Sequence, residues 1–133
     1  MIHRLRPYEE NWGCAALVIN SDSKIVICSR DFEGDTSWFF PSGIVDIGKS
    51  PINSVQEFLY DATGYRALNI GFLFNLYINE ITDYVFKCDR VQGEIIQNPN
   101  VKSVTWEYTW NIQNYNLEPN SLEIFKEYSL RYL

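Results

Sequence analysis

A chain of 133 residues is long enough to bury one proper hydrophobic core, so a single domain over residues 1–133 is expected. Hydrophobic residues make up 46 % and aromatic residues 16 %, a composition that excludes a disordered chain. The net charge of -6 excludes general nucleic-acid binding, which relies on Lys and Arg neutralising phosphates, but it leaves room for a local pocket for one small anion.

Met1 to Glu10 carries ionisable groups at His3, Arg4, Arg6, Glu9 and Glu10 and has no apolar run that would read as a leader. No stretch approaches the roughly 18 consecutive apolar residues of a membrane span, so a cytoplasmic protein without membrane partners is expected. Cys14, Cys28 and Cys88 are odd in number and embedded in apolar sequence, which reads as buried reduced thiols and not as a disulfide framework or zinc site. His3 is the only histidine and lies near the terminus, which leaves little scope for a histidine base or ligand.

In chain order, Cys14–Asn20 and Lys24–Ser29 are short apolar runs around Ser-Asp-Ser, a pattern that predicts a β-hairpin. Asp31–Thr36 reads as a polar loop around Gly34, and Trp38–Phe40 as a short aromatic strand closed by Pro41-Ser42-Gly43. Ser50-Pro51 opens a helix, because Ser caps well and Pro lacks only an N–H that the first turn leaves unpaired. Ile52, Val55, Leu59 and Ala62 give that helix its apolar stripe, and Gly64 stops it. Leu68–Ile78 and Ile81–Cys88 read as two long strands joined near Asn79-Glu80, followed by further strands at Gly93–Ile96 and Val101–Tyr108. Ile124, Phe125, Tyr128 and Tyr132 predict a closing helix over Asn120–Tyr132, capped by Asn120 or Ser121. Such an order predicts an α/β fold, with a mixed sheet covered by helices on both faces.

The segment from Trp38 to Tyr65 resembles the signature of the Nudix hydrolases, the MutT-like family, whose usual form is G-x5-E-x7-R-E-U-x-E-E-x-G-U with U a bulky apolar residue. Gly43 and Gly64 fix the register without insertion, and Leu59 and Tyr65 fill the apolar positions. The resemblance extends over nearly the whole chain in element order, and it implies a Nudix-like α-β-α sandwich. It also implies hydrolysis of a nucleoside diphosphate linked to another group, with Mg2+ or Mn2+ held by carboxylates.

The box at Gly43–Tyr65 is degenerate. Where the family has the three Glu of R-E-U-x-E-E, this chain has Phe58, Asp61 and Ala62. Phe58 and Ala62 are neighbours at i, i+4 on a helix, and an apolar pair cannot ligate a cation. The family's loop Glu is here Lys49 and its Arg is Glu57, so reversing both signs keeps a loop-to-helix pair available. The same two residues read equally well as two solvated surface charges.

Remaining candidates for metal binding are Asp61, Glu57 and Asp46, with Asp61 and Glu57 also the candidate catalytic carboxylates; Asp46 reads equally well as a turn residue. The region where the family often supplies another acid is Gln97-Asn98-Pro99-Asn100, which is uncharged, and Glu94 and Glu107 read as rim carboxylates. For a ligand, Arg30 suits a phosphate and Trp38 a base, while Ser42 and Gly43 stand at the head of the box.

Three functions are compatible with this box. The favoured one is a Nudix-fold protein with weak or no catalysis that binds a nucleotide-like or nucleoside-diphosphate-linked ligand, with Mg2+ or Mn2+ or with no cofactor. The alternatives are an active Mg- or Mn-dependent hydrolase with a rearranged metal site, and a non-catalytic protein-interaction or homodimer-forming module.

Overall fold

The computed structural model describes residues 11–133, so His3 and the leader reading of Met1 to Glu10 lie outside the described residues. The strands are β1 (Asn11–Val18), β2 (Lys24–Phe32), β3 (Asp35–Phe39), β4 (Ser42–Ile44), β5 (Arg66–Ile78), β6 (Ile81–Gln92) and β7 (Ser103–Tyr108). Helix α1 is Pro51–Thr63, α2 is Pro119–Tyr132, and a 3-10 helix spans Thr109–Asn114. Among the described residues no helix is long and apolar enough to cross a membrane.

Two sheets form, in the orders β4-β1-β6-β5 and β3-β2-β7. Strand β1 is central because its side chains are apolar at both parities: Cys14, Ala15, Ala16, Leu17 and Val18 are all fully buried. It pairs in parallel with β6 and antiparallel with β4, the environment in which a continuous apolar run is stable. Its alternate residues feed two cores. Cys14, Ala16 and Val18 pack with Val55, Leu59 and Ala62 of α1, while Ala15 and Leu17 pack with Ile124 and Tyr128 of α2. The helices therefore cover opposite faces, giving the expected α-β-α sandwich around a mixed sheet.

Several local expectations are corrected. The runs Cys14–Asn20 and Lys24–Ser29 do not make a hairpin within one sheet: after the bridge between Ile19 and Ile25, β1 joins β4 and β6 while β2 joins β3 and β7. The need of β1 for a strand on each edge overrides the local turn. Asp31–Thr36 is not a loop, since β2 and β3 continue through it to a tight turn at Glu33 and Gly34, with φ of 52° and 86°. Two successive positive φ values match the twist of a hairpin.

Gly93–Ile96 forms no strand, because Gly93 turns at φ 102° and the Ile96 N–H donates to the Thr63 carbonyl at 3.1 Å, carrying the chain across the end of α1. Helix α2 starts earlier than expected, with Glu118 at the N-cap and Pro119 behind it. The Ser121 hydroxyl accepts instead from the Phe40 N–H at 3.1 Å.

Helix α1 follows its signals closely. The Ser50 hydroxyl accepts from the Asn53 N–H at 3.2 Å, and Gly64 ends the helix at φ 90°, where its N–H bonds the Tyr60 carbonyl. A left-handed cap of this kind favours glycine. The buried stripe runs through Val55, Leu59 and Ala62, whereas Ile52 is 46 % exposed and Ser54 is buried in its place.

Candidate functional site

The site is where α1 crosses the short strand β4. Gly43 pairs with Cys14 of β1 and therefore faces the α1 side of the sheet. Phe58, one turn before Ala62, directs its ring at Gly43: Cε1 and Cζ lie 2.7 Å from the point a Cβ on Gly43 would occupy. The Phe58 ring packs onto the buried core of α1, and Ala62 is itself buried in it. The Phe58 ring therefore points toward the sheet.

The same face of the sheet also carries an aromatic patch. Trp12 and Tyr84 meet edge to face at 6.2 Å, and Phe72 reaches Tyr84 at 6.2 Å and Phe86 at 5.8 Å. Contacts of this kind are apolar with a modest electrostatic preference for tilted rings.

The carboxylates of the box lie outside that patch. Lys49 Nζ is 3.4 Å from Glu57 Oε2 and 3.8 Å from Asp46 Oδ2, so the sign-reversed pair is formed and one ammonium serves both acids. Asp46 also accepts the Lys49 N–H through its backbone carbonyl at 3.0 Å, the bond of a turn. Asp61 is exposed. With Gln56, Glu57, Tyr60 and Arg66 it borders a surface depression of about 310 Å³. Arg66 stacks over the Tyr60 ring there, 4.4 Å from its centroid.

Among the described residues no group of three or more His, Cys, Asp and Glu is placed to hold a metal ion. The donor set does not fit the Mg2+ or Mn2+ site that the resemblance implies. Hard cations require several oxygens converging on one point. Here one of the three positions is a ring, one a buried methyl, and Glu57 and Asp46 are already matched by a cation.

The uncharged loop has another task. Asn98 donates through Nδ2 to the Asp61 backbone carbonyl and accepts the Asn100 N–H at 2.7 Å, which ties the loop to α1. Glu94 is exposed beside the cap, its carbonyl against Gly64. Glu107 is a part-exposed carboxylate on the edge strand β7, as expected, and it has hydrogen-bond partners there. It accepts from Tyr115 Oη at 2.5 Å, from the Tyr108 N–H at 2.7 Å and from Asn111 at 3.3 Å, pinning the 3-10 helix to β7. The Tyr115 bond, followed by the Tyr108 N–H, pulls its pKa down.

Arg30 and Trp38 do not meet. Arg30 lies on the α1 face, 3.9 Å over the Phe39 ring, and its guanidinium forks onto Glu118 at 2.7 and 2.9 Å. Ser37 donates to the same carboxylate at 2.7 Å. Trp38 turns to the α2 face, edge to face with Tyr115 at 5.0 Å, and packs on that core. A phosphate and a base held by this pair would have to lie on opposite sides of one sheet. Ser42 is exposed on β4, opposite Ala15.

One polar group escaped the sequence reading. Asp83 on β6 is 6 % exposed and its Oδ2 has no hydrogen-bond partner. It fits because its neighbour across the ladder is Gly13, whose missing Cβ leaves room for the carboxylate. Burial raises its pKa. Nothing in the run Ile81–Cys88 singles out this acid from an exposed one, since its burial depends on the pairing with Gly13. The three thiols are buried and unpaired, and burial lifts each to about 12.

No protein-family model and no curated protein matches the chain by sequence. Solved structures do match in fold. A MutT structure from work on Aliivibrio salmonicida and Vibrio cholerae superposes with a TM-score of 0.79 at 18 % identity, covering 92 % of this chain and 99 % of the other. A MutT NUDIX hydrolase from Burkholderia pseudomallei gives 0.74 at 16 % identity over 88 % of this chain and 96 % of its own. The NUDIX domain of Shewanella oneidensis NrtR, complexed with ADP ribose, gives 0.70 at 15 % identity over 93 % and 89 %.

Proposed function

We propose that this chain, which has the fold of the MutT and Nudix structures, is a binding module that takes a nucleotide-like or nucleoside-diphosphate-linked ligand and hydrolyses it weakly or not at all. One observation carries the reading: the Phe58 ring is seated on Gly43, next to the buried Ala62, at box positions that hold carboxylates in the hydrolases. An aromatic and a methyl group supply no oxygen to a cation, and polarising a phosphoryl group needs one. The ligand class is supported by a relative of the same fold that was solved with ADP ribose. Rings on the sheet face, Trp12, Tyr84 and Phe72, suit a planar base. Three buried, unpaired thiols suit a reducing compartment such as the cytoplasm.

The test is a panel of ADP-ribose, dinucleoside polyphosphates and nucleoside triphosphates, each with Mg2+ or Mn2+, followed by product release and by thermal shift. A rise in melting temperature without products is the expected result. Phe58→Glu with Ala62→Glu is then expected to create Mg2+-dependent turnover if the rest of the cleft is intact.

A second reading has one observation in its favour, namely that Glu57 and Asp61 border the same depression. An active hydrolase with a displaced metal would turn over at wild-type sequence and lose that turnover in Asp61→Asn. Wild-type turnover would overturn the binding-module reading. Neither shift nor turnover would leave a protein partner as the function.

A further inference from the structure

Among the described residues every Lys and Arg has an acid or a ring beside it except two, Lys87 and Arg90. Both border one hollow of about 450 Å³ at the C-terminal ends of β1 and β6, together with Asn20, Ser21 and Asp89. In a chain of net charge -6, two unmatched cations at one hollow call for a cause. Lys87 is the ladder neighbour of Leu17, whose side chain belongs to the α2 face, so the hollow lies on the side of the sheet away from Phe58 and Gly43.

Arg90 would point to the other face if β6 stayed regular, since successive strand residues alternate. Its φ of 52° is left-handed instead, and this turn of the chain accompanies its place beside Lys87 at the hollow. Glycine would adopt that φ freely, whereas arginine is held there against its preference, as strained residues at binding sites are. The β1–β2 turn supplies the opposite wall. Asn20 Oδ1 accepts from the N–H groups of Asp22 and Lys24 at 2.9 and 3.0 Å, which locks the turn. Neither the N–H nor the hydroxyl of Ser21 has an acceptor among the described residues. Asp89 is half-buried, with Oδ1 shut from solvent and without a partner, which leaves Oδ2 to meet a ligand. It stands two residues from Lys87 and next to Arg90, yet bridges neither.

We propose that this hollow binds inorganic phosphate in its protonated form. Lys87, Arg90 and Ser21 donate to the phosphate oxygens, and the two cations make those bonds charge-assisted. Asp89 accepts the proton that hydrogenphosphate still carries at neutral pH. An ionised carboxylate can accept but not donate, so the same side chain repels an oxyanion of like shape that has no proton to give.

NMR titration of the backbone amides of the full chain, with inorganic phosphate at neutral pH and constant ionic strength, reads binding at this hollow apart from any ligand on the α1 face. Saturable shifts at Ser21, Asp89 and Arg90 are expected. Sulfate is expected to bind about tenfold more weakly, because one charged hydrogen bond gives way to repulsion. Lys87→Ala and Arg90→Gly should each weaken phosphate about tenfold, and Arg90→Gly should fold at least as well as the wild type because it relieves the left-handed φ. Asp89→Asn should bring sulfate level with phosphate. Circular dichroism checks that each variant is folded, and the exposed Lys87 carries the test if Asp89→Asn is not. No shift at these amides overturns the proposal, and so does an unchanged phosphate affinity in folded Lys87→Ala and Arg90→Gly. A wild type that takes sulfate as tightly as phosphate overturns the part given to Asp89 and with it the choice of ligand.

Discussion

Phe58 and Gly43 share one space: the far edge of the ring lies 2.7 Å from where a Cβ on the glycine would stand. Gly43→Ala therefore forces the ring to move, and overpacking of this kind costs about 1–3 kcal/mol. In a Phe58→Ala background the same methyl meets no ring, so a double-mutant cycle by urea denaturation should give a coupling above about 1 kcal/mol. Additive effects would mean that the ring is not held there in solution.

The Lys49–Glu57 pair is formed, yet its side chains are 47 % and 53 % exposed. Screening by solvent limits such a pair to roughly 0.5 kcal/mol. Glu57→Gln should change stability by no more than that, and Lys49→Glu combined with Glu57→Lys, which restores the usual signs, should unfold like the wild type. A loss of several kcal/mol in Glu57→Gln would show that the loop depends on this contact.

Sequence carried the α1 region furthest because its signals are local. Ser50, Pro51 and Gly64 act within one turn of themselves, and two glycines fix the register of the box. Long-range choices were less legible. Cys14–Asn20 looked like half of a hairpin, but the partners of β1 are β4 and β6, and nothing near β1 encodes them. Gly93–Ile96 has strand composition, yet its hydrogen bond goes to the end of α1. At the site, the loss of carboxylates at 58 and 62 was readable by residue type, whereas the separation of Arg30 from Trp38 required the parity of β2 and β3.

Arg30 is expected to act on stability and not on ligand affinity, because its fork is spent on Glu118, the N-cap residue of α2. Charge-assisted bidentate bonds are stronger than ordinary ones, but the side chains are 44 % and 27 % exposed, so Arg30→Ala should cost about 1 kcal/mol. Thermal denaturation measures that cost, and an unchanged ligand-induced shift in the same variant checks the second half.

All three thiols, lifted by burial to about 12, should stay protonated well above neutral pH. Since the thiolate is the nucleophile, a disulfide reagent at mildly alkaline pH should label none of them in the folded chain and all after unfolding. Rapid labelling of the native protein would contradict their burial.

Asp83 gives the chain a pH dependence of definite sign. Its carboxyl is buried against Gly13, without a partner for Oδ2, and burial raises its folded pKa above the value of about 3.9 found in unfolded chains. Between those two values the folded state binds the proton that the unfolded state has lost. The contribution of this group to stability is therefore greatest below the unfolded pKa and is lost as pH rises through the folded one. Asp83→Asn keeps the shape without the charge, so at neutral pH it should be more stable than the wild type. The gap should close as pH falls toward the ordinary carboxylate range, where Asp83 is neutral in both states. Melting curves of the two proteins from neutral to acid pH measure the gap directly. A variant less stable than the wild type at neutral pH would mean that the carboxylate is ionised and paired.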